Sequence, residues 1–289
     1  MNKNLAAIDI GSNTVQLLIN KYSNRILVSQ ESYLRTTRLG NTGANGDLSA
    51  EAIDATIAAL QEFCHIAQKN RVSQMRILAT SAVRDAGNSD ILVQKAKGVT
   101  SVPLEIISGE TEAQISYLGA KSTLDFSAGV PVIDSGGSST EIICEDIPGD
   151  IAVQSINIGA VRAYKKHWHK QEIYSLLAEK ILPIRPQSTL IGVGGTITTI
   201  AGVIFGMQEY CRDGVHGKKL AAEDIRNLYN SLLPLDISQR CQYSPLLKKR
   251  GEIIKEGLEI WLSLLDIFQA KIITVCGGGI LDGAIAGML

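Results

Sequence analysis

Two stretches decide the architecture: LAAIDIGSNT (residues 5–14) and VPVIDSGGSST (residues 130–140). In each, a short apolar run stops at Asp-x-Gly and a turn of small polar residues. Glycine-bounded runs of this kind read as buried strands that deliver a tight turn at their ends. TLIGVGGTIT (189–198) and IITVCGGGIL (272–281) share the design without the aspartate. The offset between Asp9 and Asp134 suggests two related halves.

Working outward, helical patterns fill the intervals. Ser49 reads as an N-cap with Glu51 in the first turn, and Ile53, Ile57, Leu60 and Cys64 then share one face of a helix running to about Asn70. MRILAT (75–80) is a strand. Ile225, Leu228 and Leu232 mark one further helix, and Ile254, Leu258, Trp261, Leu265 and Phe268 mark another whose stripe faces a core. Strands alternating with helices predict an α/β fold. Its boundaries are expected at 1–124 and 125–289, with the last residues open to packing back on the first half.

Of the 289 residues, 45% are hydrophobic and 20% charged, and 28 Lys and Arg stand against 29 Asp and Glu. That balance lacks the basic excess of a protein that coats nucleic acid. The five cysteines, Cys64, Cys144, Cys211, Cys241 and Cys276, are scattered with no C-x-x-C, which suggests neither a disulfide framework nor a zinc knuckle. Asp9 interrupts the N-terminal apolar run too early for a signal peptide, and Ile191–Met207 is too short and glycine-rich to span a bilayer. A cytoplasmic protein without a membrane partner is expected.

A strand ending in Asp-x-Gly sets a carboxylate at its terminus while the glycine lets backbone N–H groups approach a ligand. Phosphate suits such a loop. Asp9, Gly11, Ser12 and Asn13 form one candidate cradle, Gly136, Gly137, Ser138 and Ser139 a second, and Gly194, Gly195 and Thr196 a third. Asp9, Asp134 and Glu141 could hold a Mg²⁺ that offsets phosphate charge, with Asp134 and Glu141 the metal ligands expected. Other signatures fail: G-x-x-x-x-G-K-[ST] is missing, Ile197 stands where a dinucleotide fingerprint needs glycine, and Thr140 stands where a nucleophile elbow needs one. His167 and His169, an i, i+2 pair, read as part of a solvated basic stretch. Arg84, after the strand at 75–80, could grip phosphate in a bidentate fork. Glu112, at a helix start, could orient or deprotonate water, although its local letters alone read as a solvated helix cap.

In order along the chain, AAIDIGSNTVQLLI, RLGNTG, ATSAVRDA, EIISGETEAQISYLGA, VIDSGGSSTEI, INIGAVRAYKKHW, IGVGGTITTIAGV and DGVHG resemble the exopolyphosphatase and guanosine pentaphosphate phosphohydrolase family of the sugar kinase, Hsp70 and actin superfamily. The resemblance implies a two-lobed actin-like fold with the active site in the interlobe cleft. It implies that Glu112 is the catalytic glutamate, that Arg84 binds phosphate, and that Asp134 and Glu141 serve Mg²⁺ and water activation. Ser135 and Ser138 depart from the family's Asp-Ile-Gly-Gly-Gly-Ser-Thr-Glu, and Leu281 replaces an arginine of its C-terminal pattern. Longer relatives continue into a helical region beyond this match, so a long polymer channel is not expected.

The activity so implied is hydrolysis of a terminal phosphoanhydride in polyphosphate or guanosine pentaphosphate, with Mg²⁺ as cofactor. The alternatives are a catalytically weak sensor of polyphosphate or guanosine tetraphosphate, motivated by the three departures, and an ATP-dependent kinase or ATPase on the same fold. A homodimer is left open. Arg38, Arg162, Lys165 and Lys166 lie beside matched motifs as outlying contacts for a polyanion.

Overall fold

The computed structural model describes residues 2–43, 45–147, 150–181 and 187–289. In chain order the elements begin with strands β1 (Asn2–Ile10), β2 (Thr14–Ser23) and β3 (Ile26–Thr36), helix α1 (Ala50–Lys69), β4 (Gln74–Ala79), α2 (Ser81–Arg84), α3 (Ser89–Lys97), β5 (Leu104–Ile106) and α4 (Gly109–Thr123). There follow β6 (Val132–Ser135), β7 (Thr140–Ile147), β8 (Asp150–Ile156), α5 (Ala160–Lys165), α6 (Lys170–Lys180), β9 (Thr189–Val193), α7 (Gly195–Ile204), α8 (Arg212–Val215) and β10 (Lys219–Ala221). The chain closes with α9 (Ala222–Leu232), α10 (Ile237–Tyr243), α11 (Ile254–Phe268), β11 (Ile272–Val275) and α12 (Ile280–Ala286).

The chain forms two compact units, one of Met1–Ser122 with Ile280–Leu289, the other of Thr123–Gly279. The first holds a five-stranded sheet in the order β3-β2-β1-β4-β5, and the second a six-stranded sheet in the order β10-β11-β9-β6-β7-β8. Read from the other edge, the second order is an antiparallel meander followed by parallel strands, which repeats the first, with β10 added antiparallel at the far edge. All four apolar runs that end in glycine are strands of these sheets, and the class is α/β.

In the first unit the period-2 alternation of β1 sends Ala6, Ile8 and Ile10 into a core with Ile53, Leu60 and Phe63 of α1, while Leu5 and Ala7 pack with Ala284 and Ile285 of α12. Helix α1 begins where its cap predicts, the Ser49 side chain accepting from the Ala52 N–H at 3.2 Å. In the second unit α11 is the central helix. Ile254, Leu258, Trp261, Leu265 and Phe268 are buried, and so are Ile260, Leu262 and Leu264, as expected of a helix apolar around its whole girth. Its approach to the sheet depends on Gly192 of β9, where a Cβ would stand 2.8 Å from Ile273 Cγ2 and 3.1 Å from Trp261 Cη2.

Candidate active site

The sheet geometry of the first unit collects its predicted residues at one end. β1 and β4 are parallel neighbours, with Asp9 beside Leu78 and Ile10 beside Ala79, so the turn after β1 and the segment after β4 emerge together. The turn is closed by a hydrogen bond from the Gly11 N–H to Thr14 O (3.0 Å). Its remaining carbonyls face the body of the unit: Asn13 O accepts from the N–H groups of Thr37 and Arg38 (3.1 Å each), and Ser12 O from that of Gly40 (2.6 Å). With Gly11 N–H spent on closing the turn and the Ser12 and Asn13 carbonyls bonded from the Thr37–Gly40 side, the backbone donors the turn could offer an anion are the N–H groups of Ser12 and Asn13. Gly40 is glycine for a steric reason, since a Cβ there would lie 2.8 Å from Ser12 Cβ.

Arg84 and Glu112 meet in the same unit. Arg84 ends the short helix after β4, and its Nη1 donates both to Ile107 O (2.7 Å) and to Glu112 Oε2 (3.1 Å). Glu112 stands in the first turn of α4, which Ser108 closes by accepting from the Thr111 N–H at 3.1 Å. The Glu112 side chain is only 13% exposed. This corrects the reading of its local letters as a solvated cap: the chain reversal between β5 and α4 turns Glu112 inward onto a cation contributed from 28 residues earlier.

The second unit builds an equivalent turn with the same spacing. The Gly136 N–H donates to Ser139 O at 2.9 Å, the counterpart of Gly11 and Thr14. Gly136 O accepts from Ala160 N–H (3.1 Å), and Gly137 O from the N–H groups of Val161 (2.7 Å) and Arg162 (3.0 Å). Arg162 Nε also donates to Ser138 O at 2.8 Å, which ties this guanidinium to the turn. Gly159 permits the approach: a Cβ there would sit 2.5 Å from both Gly137 C and Ser138 N.

Asp134 and Glu141 are directly opposite one another on the antiparallel pair β6–β7, and therefore on one face of the sheet. Glu141 is buried, with Oε1 accepting from Ser155 Oγ at 2.8 Å. Asp134 Oδ1 lies 2.6 Å from where a Cβ of Gly194 would stand, and Gly194, at φ +96°, has the left-handed backbone that favours glycine. Gly194 caps the ten-residue helix α7, so Gly195 and Thr196 carry N–H groups of its first turn, the positive end of a helix dipole. Among the described residues no three His, Cys, Asp or Glu side chains form a metal cage. Two hard carboxylates on one face nevertheless fit Mg²⁺, which keeps several waters and binds through one or two carboxylates together with phosphate oxygens.

Sequence reasoning missed Arg250. Its Nη2 would meet a Cβ on Gly195 at 2.5 Å, which places a guanidinium at the start of α7, and burial pushes that guanidinium below its usual pKa. No motif marks it; it belongs to a run of basic residues that reads as surface. Of the departures, Ser135 is fully buried with its hydroxyl 3.3 Å from Thr140 Oγ1, and Leu281 packs among the apolar neighbours of Leu5 and Ala284. His167 and His169 are exposed.

The sequence profile of the Ppx/GppA phosphatase family matches residues 25–289. The chain belongs to that family. It is 29% identical to Exopolyphosphatase 2 of Mycobacterium tuberculosis over 96% of each chain. It is 27% identical to the guanosine-5'-triphosphate,3'-diphosphate pyrophosphatase of Vibrio parahaemolyticus, over 98% of this chain and 59% of that protein. The crystal structure of the Aquifex aeolicus family member is similar at a TM-score of 0.81 and 26% identity, covering 100% of this chain and 98% of the other. The chain spans 46% to 96% of the length of the relatives it matches first. The family and the α/β class are thus those implied by the ordered motifs.

Proposed function

We propose that this member of the Ppx/GppA family hydrolyses a terminal phosphoanhydride, in inorganic polyphosphate, guanosine pentaphosphate or both, and releases orthophosphate. The observation that carries the reading is the Arg84–Glu112 pair, a largely buried carboxylate held by a guanidinium, with Arg84 following the strand that runs parallel beside the one ending in the Gly11–Asn13 turn. In this reading Glu112 positions or deprotonates the attacking water, and Arg84 orients Glu112 and binds phosphate oxygens. In the second unit the turn of Gly136 to Ser139, the first turn of α7 and Arg250 offer fixed donors suited to phosphate oxygens. Phosphoryl transfer asks a protein chiefly for positioning and charge stabilisation. Asp134 and Glu141 would hold Mg²⁺, which supplies charge neutralisation on the phosphate oxygens when bound. The relatives named for polyphosphate and guanosine nucleotide chemistry support the substrate class. A cytoplasmic setting agrees with five free cysteines and with the finding that no helix among the described residues is long and apolar enough to cross a membrane.

The deciding experiment measures phosphate release in Mg²⁺ from short polyphosphate, long polyphosphate, guanosine pentaphosphate and ATP side by side. Release from polyphosphate or guanosine pentaphosphate that disappears in Glu112→Gln supports the reading. Turnover of ATP alone would support the kinase or ATPase alternative, and tight binding without turnover the sensor.

A further inference from the structure

Two motifs, DGVHG (213–217) and the fourth glycine turn, CGGG (276–279), take no part in the hydrolysis proposed above. They meet where the chain passes from one unit to the other. The chain enters the second unit at Thr123 and leaves it at Gly279. His216, which caps the short helix α8, reaches both passages from within that unit. Its Nε2 donates to Thr123 O at 2.8 Å, and its Nδ1 accepts from the Gly277 N–H at 3.0 Å. An N–H can only donate and a carbonyl only accept, so the ring is the neutral tautomer with its hydrogen on Nε2.

Each bond meets a need of the backbone. Thr123 ends α4, and the last four carbonyls of a helix have no partner within it. His216 supplies a donor to one of them from 93 residues away. In the glycine turn the Cys276 N–H is spent on Gly192 O (2.8 Å) and the Gly277 N–H on His216, so these two donors hold chain and not an anion. Glycine at 277 also leaves room for Arg212, whose Cγ would stand 2.7 Å from a Cβ there. The passages touch directly as well, with Thr123 Oγ1 3.6 Å from Cys276 Sγ. In the first unit the same two segments stay together: a Cβ on Gly283 of α12 would stand 1.8 Å from Ile115 O and 2.9 Å from Gly119 N of α4.

We propose that His216 is a positioning residue: its imidazole clamps the two passages into one joint, so that the end of α4 cannot move independently of the turn after β11. The first turn of α4 carries Glu112, about 16 Å from Thr123 at the rise of an α-helix. A helix is stiff over that length, so the clamp at one end holds the carboxylate at the other. The effect on turnover rests on the hydrolysis proposed above, whereas the clamp itself does not.

Hydrogen exchange followed by mass spectrometry on the whole chain, without substrate, tests the clamp. His216→Asn keeps an acceptor near the place of Nδ1 and loses the bond to Thr123; His216→Gln keeps a donor near the place of Nε2 and loses the bond to Gly277. Each variant is expected to speed exchange about tenfold or more around both Thr123 and Gly277, although each cuts only one bond. Strands β1 and β6 should exchange as in the wild type, which shows that both units remain folded. Exchange that rises only beside the bond that was cut, or nowhere, overturns the joint. A long-range proton–nitrogen correlation spectrum of the wild type is expected to show the ring hydrogen on Nε2, and the opposite tautomer overturns it too. In the phosphate-release assay both variants should lose about tenfold or more in kcat, with KM within about twofold of the wild type. An unchanged kcat in variants whose passages have loosened overturns the positioning role. A wild type without turnover overturns the hydrolysis and that role together, while the exchange result still decides the clamp.

Discussion

Glu112 illustrates how little a single letter conveys. In sequence it stands in a polar helix start, yet the folded chain turns it onto Arg84 at 3.1 Å and away from solvent. Replacing it with glutamine keeps the shape and a hydrogen bond to Arg84 but removes the base. Glu112→Gln is expected to fold and bind polyphosphate while its turnover falls at least about 100-fold, the scale of lost general-base assistance. Single-turnover kinetics beside a binding isotherm check both halves, and unaltered turnover would take Glu112 out of the mechanism. Gly159 is the opposite case, a residue whose function is to have no side chain. Gly159→Ala must displace Gly137 and Ser138, and because those atoms are backbone the turn itself has to move. A loss of phosphate affinity larger than the loss of thermal stability is expected, measurable as the shift in KM against the shift in Tm.

The elements were legible to different depths for physical reasons. The four glycine-ended strands and the helices from Ser49 and Ile254 follow from local rules, periodicity and capping, that a short window of sequence contains. The neighbours of the turns do not, because the Gly136–Ser139 turn is completed by Gly159 and Arg162, and Gly195 by Arg250 from far along the chain. The pairing of Asp134 with Glu141 needed only the short hairpin between them, which is why that pair could be nominated early. If both hold Mg²⁺, Asp134→Asn and Glu141→Gln should each move the Mg²⁺ activation curve to higher concentration, since each removes one anionic oxygen ligand. Activity that falls with the curve unmoved would show that they act otherwise.

Helix α11 adds an element-scale consequence. Glu256 and Glu259 are buried on it, sharing Lys255 Nζ at 3.3 and 3.4 Å, with Tyr229 Oη donating to Glu259 at 2.9 Å. Burial pushes the Glu256 carboxyl above its usual 4.5, against the pull of Lys255. A raised value in the folded state means that the fold holds this proton more tightly than the unfolded chain does. The stability tied to it is full below pH 4.5 and is lost as pH climbs through the raised value. Glu256→Gln should therefore flatten the decline of Tm with rising pH and leave the protein about 1 kcal/mol more stable at neutral pH. Thermal melts of both proteins from pH 4 to pH 8 read this out, and parallel curves would mean that Glu256 does not titrate in that window.

At the scale of the whole molecule, charge decides how a polyanion is held. Basic and acidic residues nearly cancel, 28 against 29, and many of the cations are occupied within the chain. Lys21, Arg35, Arg76, Lys95, Arg226 and Lys255 are paired with carboxylates, Arg84 with Glu112, and Arg162 holds Ser138 O. Cations held in surface ion pairs are poorly placed to track a polymer, so the grip on polyphosphate should come from Arg84 and the turns at the strand ends, with Arg38 and Lys166 as outlying contacts. At physiological salt, where the Debye length is about 8 Å, phosphates beyond the first few should feel little of the protein. KM is therefore expected to fall across the shortest chains and then level off, and raising the ionic strength should raise the plateau and bring it at the same or a shorter chain length. A KM that keeps falling with chain length at low salt would reveal an extended basic track.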